Sequence, residues 1–180
     1  MKLAHEALDL TTNSVERDSV LDGIAAMFTS LGLTDAARDT HLVIAATAQS
    51  KMVRDSATIN LMELAAIDGM PEAFDAYARD IAGSHLGPWQ RSHYLLFLGE
   101  GMNLLGRRDA AEDALNEAIS YAEANQIHQV AFKAHAALVA IRTTVRPSKP
   151  FVAAPSWVSE EVNTVARAMS ELRKTAVAVT

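Results

Sequence analysis

The chain has 180 residues, of which 49% are hydrophobic, 21% charged and 6% aromatic, and its formal net charge is −6. This composition is typical of a globular protein, and the shortage of aromatic residues argues against an all-β sandwich or barrel. The acidic balance excludes an ordinary basic nucleic-acid binder. Because cysteine is absent, disulfides, thiol catalysis, cysteine-ligated zinc and iron–sulfur clusters are excluded as well.

The distribution of apolar residues along the chain also predicts its cellular location. No stretch approaches 18 consecutive apolar residues, so we expect no membrane-spanning helix. Acidic residues interrupt the N-terminal segment where a signal peptide needs an unbroken apolar run. We therefore expect a soluble, cytoplasmic protein.

Glycine marks an internal repeat, because Gly32, Gly69 and Gly106 lie 37 residues apart and each opens a similar phrase. An acid occupies the fourth position of each phrase and an alanine the fifth. Glycine can end one helix in the left-handed conformation, and the acid complements the dipole of the next helix. The three phrases therefore predict units of helix, glycine turn and helix. The acids are Asp35, Glu72 and Asp109, and the alanines are Ala36, Ala73 and Ala110.

The apolar periodicity and the turn signals predict seven helices up to residue 142. Pro71 is expected at the first position of its helix and Thr34 as an N-cap. Helices joined by short turns lie antiparallel, and stacked hairpins form a solenoid, so we predict an all-α fold of antiparallel helix-hairpin repeats. The predicted helices span residues 14–31, 35–51, 56–68, 71–83, 88–105, 107–125 and 127–142. The predicted buried stripe of the sixth helix is Ala111, Ala114, Leu115, Ala118, Ile119 and Ala122.

Residues 95–125 resemble one tetratricopeptide repeat, and residues 58–88 and 21–51 match the same pattern more weakly. The positions that carry the resemblance are Gly99 (small) and Met102 (aromatic position) in the first helix, and Ala111, Leu115 and Ala118 in the second. The resemblance implies a TPR-like α-solenoid, a right-handed superhelix in which the first helix of each pair lines a concave face.

We predict a repeat domain over residues 1–142, composed of repeats 21–51, 58–88 and 95–125 and an extra helix at 127–142. Residues 143–156 contain three of the five prolines and predict a linker. An amphipathic helix follows within residues 157–180, and we expect it to cap the last exposed repeat face of the same domain. A homodimer through residues 157–176, or a helix exchanged with a neighbouring chain, stays open. The seam of this helix is Val158, Val162, Val165, Met169 and Leu172.

The sequence contains no motif for catalysis, a metal or a cofactor. Neither Glu-x-x-His nor His-x-x-x-His occurs, so the di-iron bundle and zincin signatures are absent. His128 and His135 share a helix face, but about 10 Å separates them along the axis, too far for two ligands of one ion. There is no Gly-x-Ser-x-Gly motif and no glycine cluster for a phosphate. We therefore expect no cofactor, no metal site and no catalytic residue.

The concave face implied by the resemblance supplies the candidate binding site. Glu63 and Glu100 are 37 residues apart, so they would lie side by side on neighbouring first helices. A groove that also includes Asp22 has a negative potential and should prefer a basic or neutral protein or peptide. The alternative is that these acids form only a solvated face. The candidate residues are Asp22, Ile59, Glu63, His93, Leu96, Glu100, Asn103 and Lys133.

These features favour a non-catalytic regulatory module that binds a protein segment on its concave face, without direct nucleic-acid or membrane partners. One alternative is the sensor domain of a bacterial regulator that binds a small ligand or signalling peptide, with Trp89 and His93 near the mouth of its pocket. The other is an enzyme with an active site between helices that the sequence does not reveal.

Overall fold

The described part of the chain consists of α-helices joined by short turns. The computed structural model describes residues 13–143 and 158–177, and these residues form eight helices and no strand, which confirms the all-α class. The helices are α1 (Ser14–Ser30), α2 (Thr34–Thr47), α3 (Lys51–Ile67), α4 (Pro71–Ala82), α5 (Pro88–Leu104), α6 (Arg108–Ala124), α7 (His128–Thr143) and α8 (Glu160–Val177). None of these helices is long and apolar enough to cross a membrane. Beyond Thr143, the predicted linker lies outside the described residues.

The junction between α2 and α3 differs most from the sequence prediction. We expected the first of these helices to reach residue 51 and the second to begin at 56, whereas α2 ends at Thr47 and α3 begins at Lys51. Ala48 has extended backbone, and Nη1 of Arg54 donates hydrogen bonds to the carbonyl oxygens of Ala48 (2.6 Å) and Gln49 (2.8 Å). An arginine that satisfies the free carbonyls at a helix end favours the earlier break, because those carbonyls have no partner within the helix.

The three repeat glycines form the predicted turns. Their φ angles are 68° at Gly32, 71° at Gly69 and 78° at Gly106, in the left-handed region that glycine adopts without strain. In each turn the amide after the glycine donates to the carbonyl five residues earlier, the bond that closes a Schellman motif. These bonds join Leu33 to Phe28 (2.9 Å), Met70 to Ala65 (2.8 Å) and Arg107 to Met102 (2.8 Å).

A fourth turn has the same geometry without glycine. Gln126 has a φ of 59°, and the amide of Ile127 donates to the carbonyl of Ala122 at 2.8 Å. The helix starts are also close to expectation, because Pro71 occupies the first turn of α4. Thr34 is not the N-cap of α2, however, since it is already helical and Leu33 holds the cap position without a side-chain bond. The glycine turn itself thus defines the start of α2.

The described residues divide into two compact units, with the boundary inside α3 between Thr58 and Ile59. The first unit contains α1, α2, the start of α3 and α8. Its α1 packs along α2, and α8 also packs against α2. Arg173 of α8 forms an ion pair with Asp39 of α2 at 3.2 Å. The largest fully buried side chains of this unit are Leu21, Ile24, Phe28 and Ile44.

A C-terminal helix is present, and it packs against α2 of the first hairpin. Val165 and Met169, at the centre of its seam, are buried within the single chain, with exposed fractions of 3% and 0%. Val158, Val162 and Leu172 are half-buried. An amphipathic seam needs an apolar surface to cover it, and here α2 of the same chain provides one.

The second unit contains the rest of α3 and helices α4 to α7, with α5 packed along α6 and α6 along α7. All six residues of the predicted α6 stripe are buried. Gly99 lets α5 approach α6 closely, because a Cβ there would lie 2.6 Å from Cγ of Leu115 and 3.2 Å from the carbonyl oxygen of Ala111. The small residue expected at this position is therefore required by the packing.

Candidate functional site

A groove on the second unit lies between α3, α5 and α7, and it holds a cavity of about 360 Å³. Its polar lining is Glu63 from α3 and Glu100 and Asn103 from α5. We call this site the acidic groove. Its three helices are those that we expected to line the binding face of this part of the chain. The remaining lining residues are Ala66, Ile67, Phe97, Gly101, Leu104, Ala137, Ala140 and Ile141.

Gly101 explains why the two carboxyl groups reach the same groove. A Cβ at this position would lie 3.0 Å from Cβ of Ala66 in α3 and would overlap the ring of Phe74 in α4. Because residue 101 has no side chain, α5 can approach both helices. Glu100 directly precedes this contact in α5, and Glu63 lies one turn before Ala66 in α3. The close approach of small residues thus positions the two carboxyl groups.

The groove changes the acidity of both carboxyl groups. Burial, and after it the negative charge of Glu100, raise the pKa of Glu63 to about 7, while the positive charge of Lys133 opposes the increase. Burial also raises the pKa of Glu100, and Lys133 again opposes it. An ionised carboxylate is costly where water is excluded, so the proton is held more tightly. The protonation of Glu63 therefore changes close to neutral pH.

The polar groups of the groove have no protein partners within residues 13–143 and 158–177. Neither Glu63 nor Glu100 accepts a hydrogen bond there or forms an ion pair, and the side-chain amide of Asn103 is also unpaired. Lys133 is exposed on α7 and acts on both carboxyl groups through its charge, from beyond ion-pair distance. Because Glu63, Glu100 and Asn103 are half-buried, these polar groups are only partly hydrated. A bound group that supplies donors and positive charge would replace the missing water.

Three aromatic side chains of α5, those of Trp89, His93 and Phe97, contact one another in a row that ends at the groove, and we call this row the aromatic stack. The ring centroids of Trp89 and His93 are 4.4 Å apart, and those of His93 and Phe97 are 6.0 Å apart. Nδ1 of His93 donates to the carbonyl oxygen of Trp89 at 3.0 Å, which fixes the orientation of the imidazole ring. Trp89 is 55% exposed, whereas Phe97 lines the acidic groove. The stack spans eight residues, about 12 Å of helix, and offers an elongated surface.

The structure brings together part of the predicted site. Glu63, Glu100 and Asn103 line one cavity and Lys133 acts on it, whereas His93 lies in the aromatic stack beside it.

Three other candidates lie elsewhere. Ile59 and Leu96 are buried in the hydrophobic core of the second unit, with exposed fractions of 3% and 0%. Asp22 belongs to α1 of the first unit, where partial burial raises its pKa.

Sequence reasoning missed the apolar walls of the groove. Phe97, Leu104 and Ile141 were not among the candidate residues, although all three line the cavity. A signal for Phe97 was present, since it follows Trp89 and His93 at intervals of four residues and so shares their helix face. Ile141 gave no such signal, because its place depends on how α7 packs against α5.

A larger cavity, of about 870 Å³, lies in the first unit between the α1–α2 turn and α8. Two of its three carboxylates are already engaged, because Asp35 accepts a hydrogen bond from Arg38 at 2.8 Å and Asp39 pairs with Arg173. In contrast, the carboxyl groups of the acidic groove lack such partners. The acidic groove is therefore the stronger candidate for a binding site.

The described residues hold no group of three or more histidine, aspartate or glutamate side chains placed to bind a metal ion. Comparison of the chain with models of known protein families gives no match, and comparison with curated proteins and with solved structures gives none either.

Proposed function

We propose that this protein is a non-catalytic interaction module that binds a segment of another protein in the acidic groove. The observation that carries the proposal is the convergence of α3, α5 and α7 on two half-buried, unpaired carboxyl groups surrounded by apolar walls. Partly buried pockets with a few unpaired polar groups are typical of recognition sites. We further propose that the hairpins of the second unit are arranged as TPR-like repeats, which the glycine turns and the close packing at Gly99 support.

The length of the surface favours a protein segment as the ligand. The stack from Trp89 to Phe97 extends the cavity along α5, and the exposed indole of Trp89 offers an apolar contact about 12 Å from Phe97. Aromatic side chains of this kind frequently anchor protein interfaces. A peptide that occupies the cavity could continue along this stack.

Reversal of the groove charge tests the proposal. The double variant Glu63→Lys/Glu100→Lys should keep its helical circular dichroism and lose the partner that wild-type protein captures from native lysate, as identified by mass spectrometry. The control Glu117→Lys/Glu123→Lys makes the same change of charge at two exposed positions of α6 in the same unit. It should retain the partner. Equal capture by both double variants would mean that the groove is not the binding site.

The cavity volume favours a second candidate, a small-molecule sensor, because ligand pockets commonly measure about 300–1,000 Å³. In that case, wild-type protein purified under native conditions should release a small molecule on denaturation. The Glu63→Lys/Glu100→Lys variant should release none, as judged by mass spectrometry of the extracts.

A further inference from the structure

The acidic groove offers more hydrogen-bond acceptors than donors at its centre. Two carboxyl groups and the side-chain oxygen of Asn103 face one cavity and have no hydrogen-bond partner within the described ranges. The cation that acts on them is Lys133, which is exposed on α7. A complementary ligand group must therefore be cationic and must donate several hydrogen bonds at once.

The walls of the groove discriminate between the two common cations of proteins. Phe97, Leu104 and Ile141 surround the polar groups with apolar surface. An ammonium ion is compact and strongly hydrated, so its transfer to such a site is costly. A guanidinium is planar and more weakly hydrated, stacks on aromatic rings and presents five donors. The guanidinium therefore fits both the acceptors and the walls.

We propose that the acidic groove binds the side chain of an arginine in the partner segment, with its guanidinium between Glu63 and Glu100 and its aliphatic stem against Phe97. This inference rests on the proposed function and names the chemistry of its partner.

The charges that face the site imply that arginine binding depends on pH. Glu63 comes from α3, Glu100 from α5 and Lys133 from α7, while α4 contributes the ring of Phe74 at Gly101. The pKa of Glu63 is about 7 in the free protein, so near neutral pH about half of the molecules carry a proton there. A guanidinium requires the ionised form. Affinity should therefore fall up to about tenfold for each pH unit below 7.

The experiment compares two capped heptapeptides that contain either a central arginine or a central citrulline between leucines. Citrulline has nearly the same shape as arginine but no charge. The isotope-labelled full chain is titrated with each peptide and followed by nuclear magnetic resonance at pH 5, 6, 7 and 8. At pH 8 the arginine peptide should bind about 10- to 100-fold more tightly than the citrulline peptide, as expected for charged hydrogen bonds. Its affinity should fall at least tenfold between pH 8 and pH 5.

Variants assign the effect to named residues. Glu63→Gln should remove most of the preference for arginine and most of its pH dependence. Lys133→Gln should raise the affinity severalfold, because it removes a competing exposed cation. Glu117→Gln, outside the groove, should behave as wild type. Equal or undetectable binding of the two peptides at pH 8, or an unaltered arginine preference in Glu63→Gln, would overturn the inference.

Two comparisons separate this inference from the function on which it rests. If charge reversal abolishes capture of the partner while arginine and citrulline peptides bind alike, only the inference fails. If charge reversal leaves capture intact, the proposed function fails with it. n-Butylguanidine carries the same guanidinium on a free aliphatic stem and should bind at least tenfold more weakly than the arginine peptide. Equal affinity would contradict a protein segment as the source of the guanidinium.

Discussion

Replacing Glu63 with glutamine should stabilise the protein at pH 8 and change its stability little at pH 5. The groove raises the pKa of Glu63 from 4.5 to about 7, so the folded state holds this proton more tightly than the unfolded chain does. The resulting stabilisation is complete below pH 4.5 and is lost as the pH rises through 7. At about 1.4 kcal/mol for each pH unit between the two values, the loss is roughly 3 kcal/mol as an upper bound.

Urea denaturation followed by circular dichroism at pH 5, 6, 7 and 8 measures this effect. The free energy of unfolding of wild-type protein, relative to that of Glu63→Gln, should fall by about 2–3 kcal/mol across this range. Glu117→Gln replaces an exposed glutamate of the same unit and should follow the wild-type curve. Parallel curves for wild type and Glu63→Gln would show that the groove does not raise the pKa of this carboxyl group.

Three further predictions concern packing and acid sensitivity. Gly99→Ala should lower the free energy of unfolding by about 1–3 kcal/mol, because the new methyl group would overlap the side chain of Leu115. The control Gly23→Ala, where α1 has open space, should raise the free energy of unfolding by about 0.5–1 kcal/mol. Equal effects of the two substitutions would contradict the close contact of α5 and α6. His41 is buried, its Nδ1 has no partner among the described residues, and burial lowers its pKa to about 4. When the pH falls from 6.5 to 4 in the same urea assay, the free energy of unfolding of wild-type protein should therefore decrease by up to about 3 kcal/mol more than that of His41→Leu. Equal decreases would contradict a neutral, buried His41. Met169→Ala should lower the free energy of unfolding by about 2–5 kcal/mol, because it leaves a cavity beneath α8. The molecular mass measured by light scattering should stay the same. If the substitution instead converted a dimer to a monomer, the α8 seam would join two chains.

Much of the local structure could be predicted because its signals are local. A glycine with positive φ ends a helix whatever surrounds it, so Gly32, Gly69 and Gly106 located three hairpin turns correctly. Apolar spacing likewise identified the buried face of α6. The turn at Gln126 contains no glycine, so its residue types do not predict the left-handed backbone conformation.

The packing of a helix against distant parts of the chain is harder to predict from the sequence than its local structure. The apolar seam of α8 predicts that this helix packs against an apolar surface, but the seam alone does not identify α2 as that surface. Ile59 and Leu96 lie one turn before Glu63 and Glu100 on the same helix faces, and there the core covers the face. Sequence periodicity shows which residues share one face of a helix. How much of that face is exposed to solvent depends on the helices that pack against it.

Site-specific photo-crosslinking most directly tests the acidic groove as the binding site. A benzophenone amino acid replaces Asn103, which lines the groove, or Asn116, which is exposed on α6 outside it. The partner captured by wild-type protein should crosslink from position 103 and not from position 116, and the crosslink should disappear in the Glu63→Lys/Glu100→Lys background. Equal crosslinking from both positions, or a crosslink at 103 that survives charge reversal, would contradict recognition in the groove.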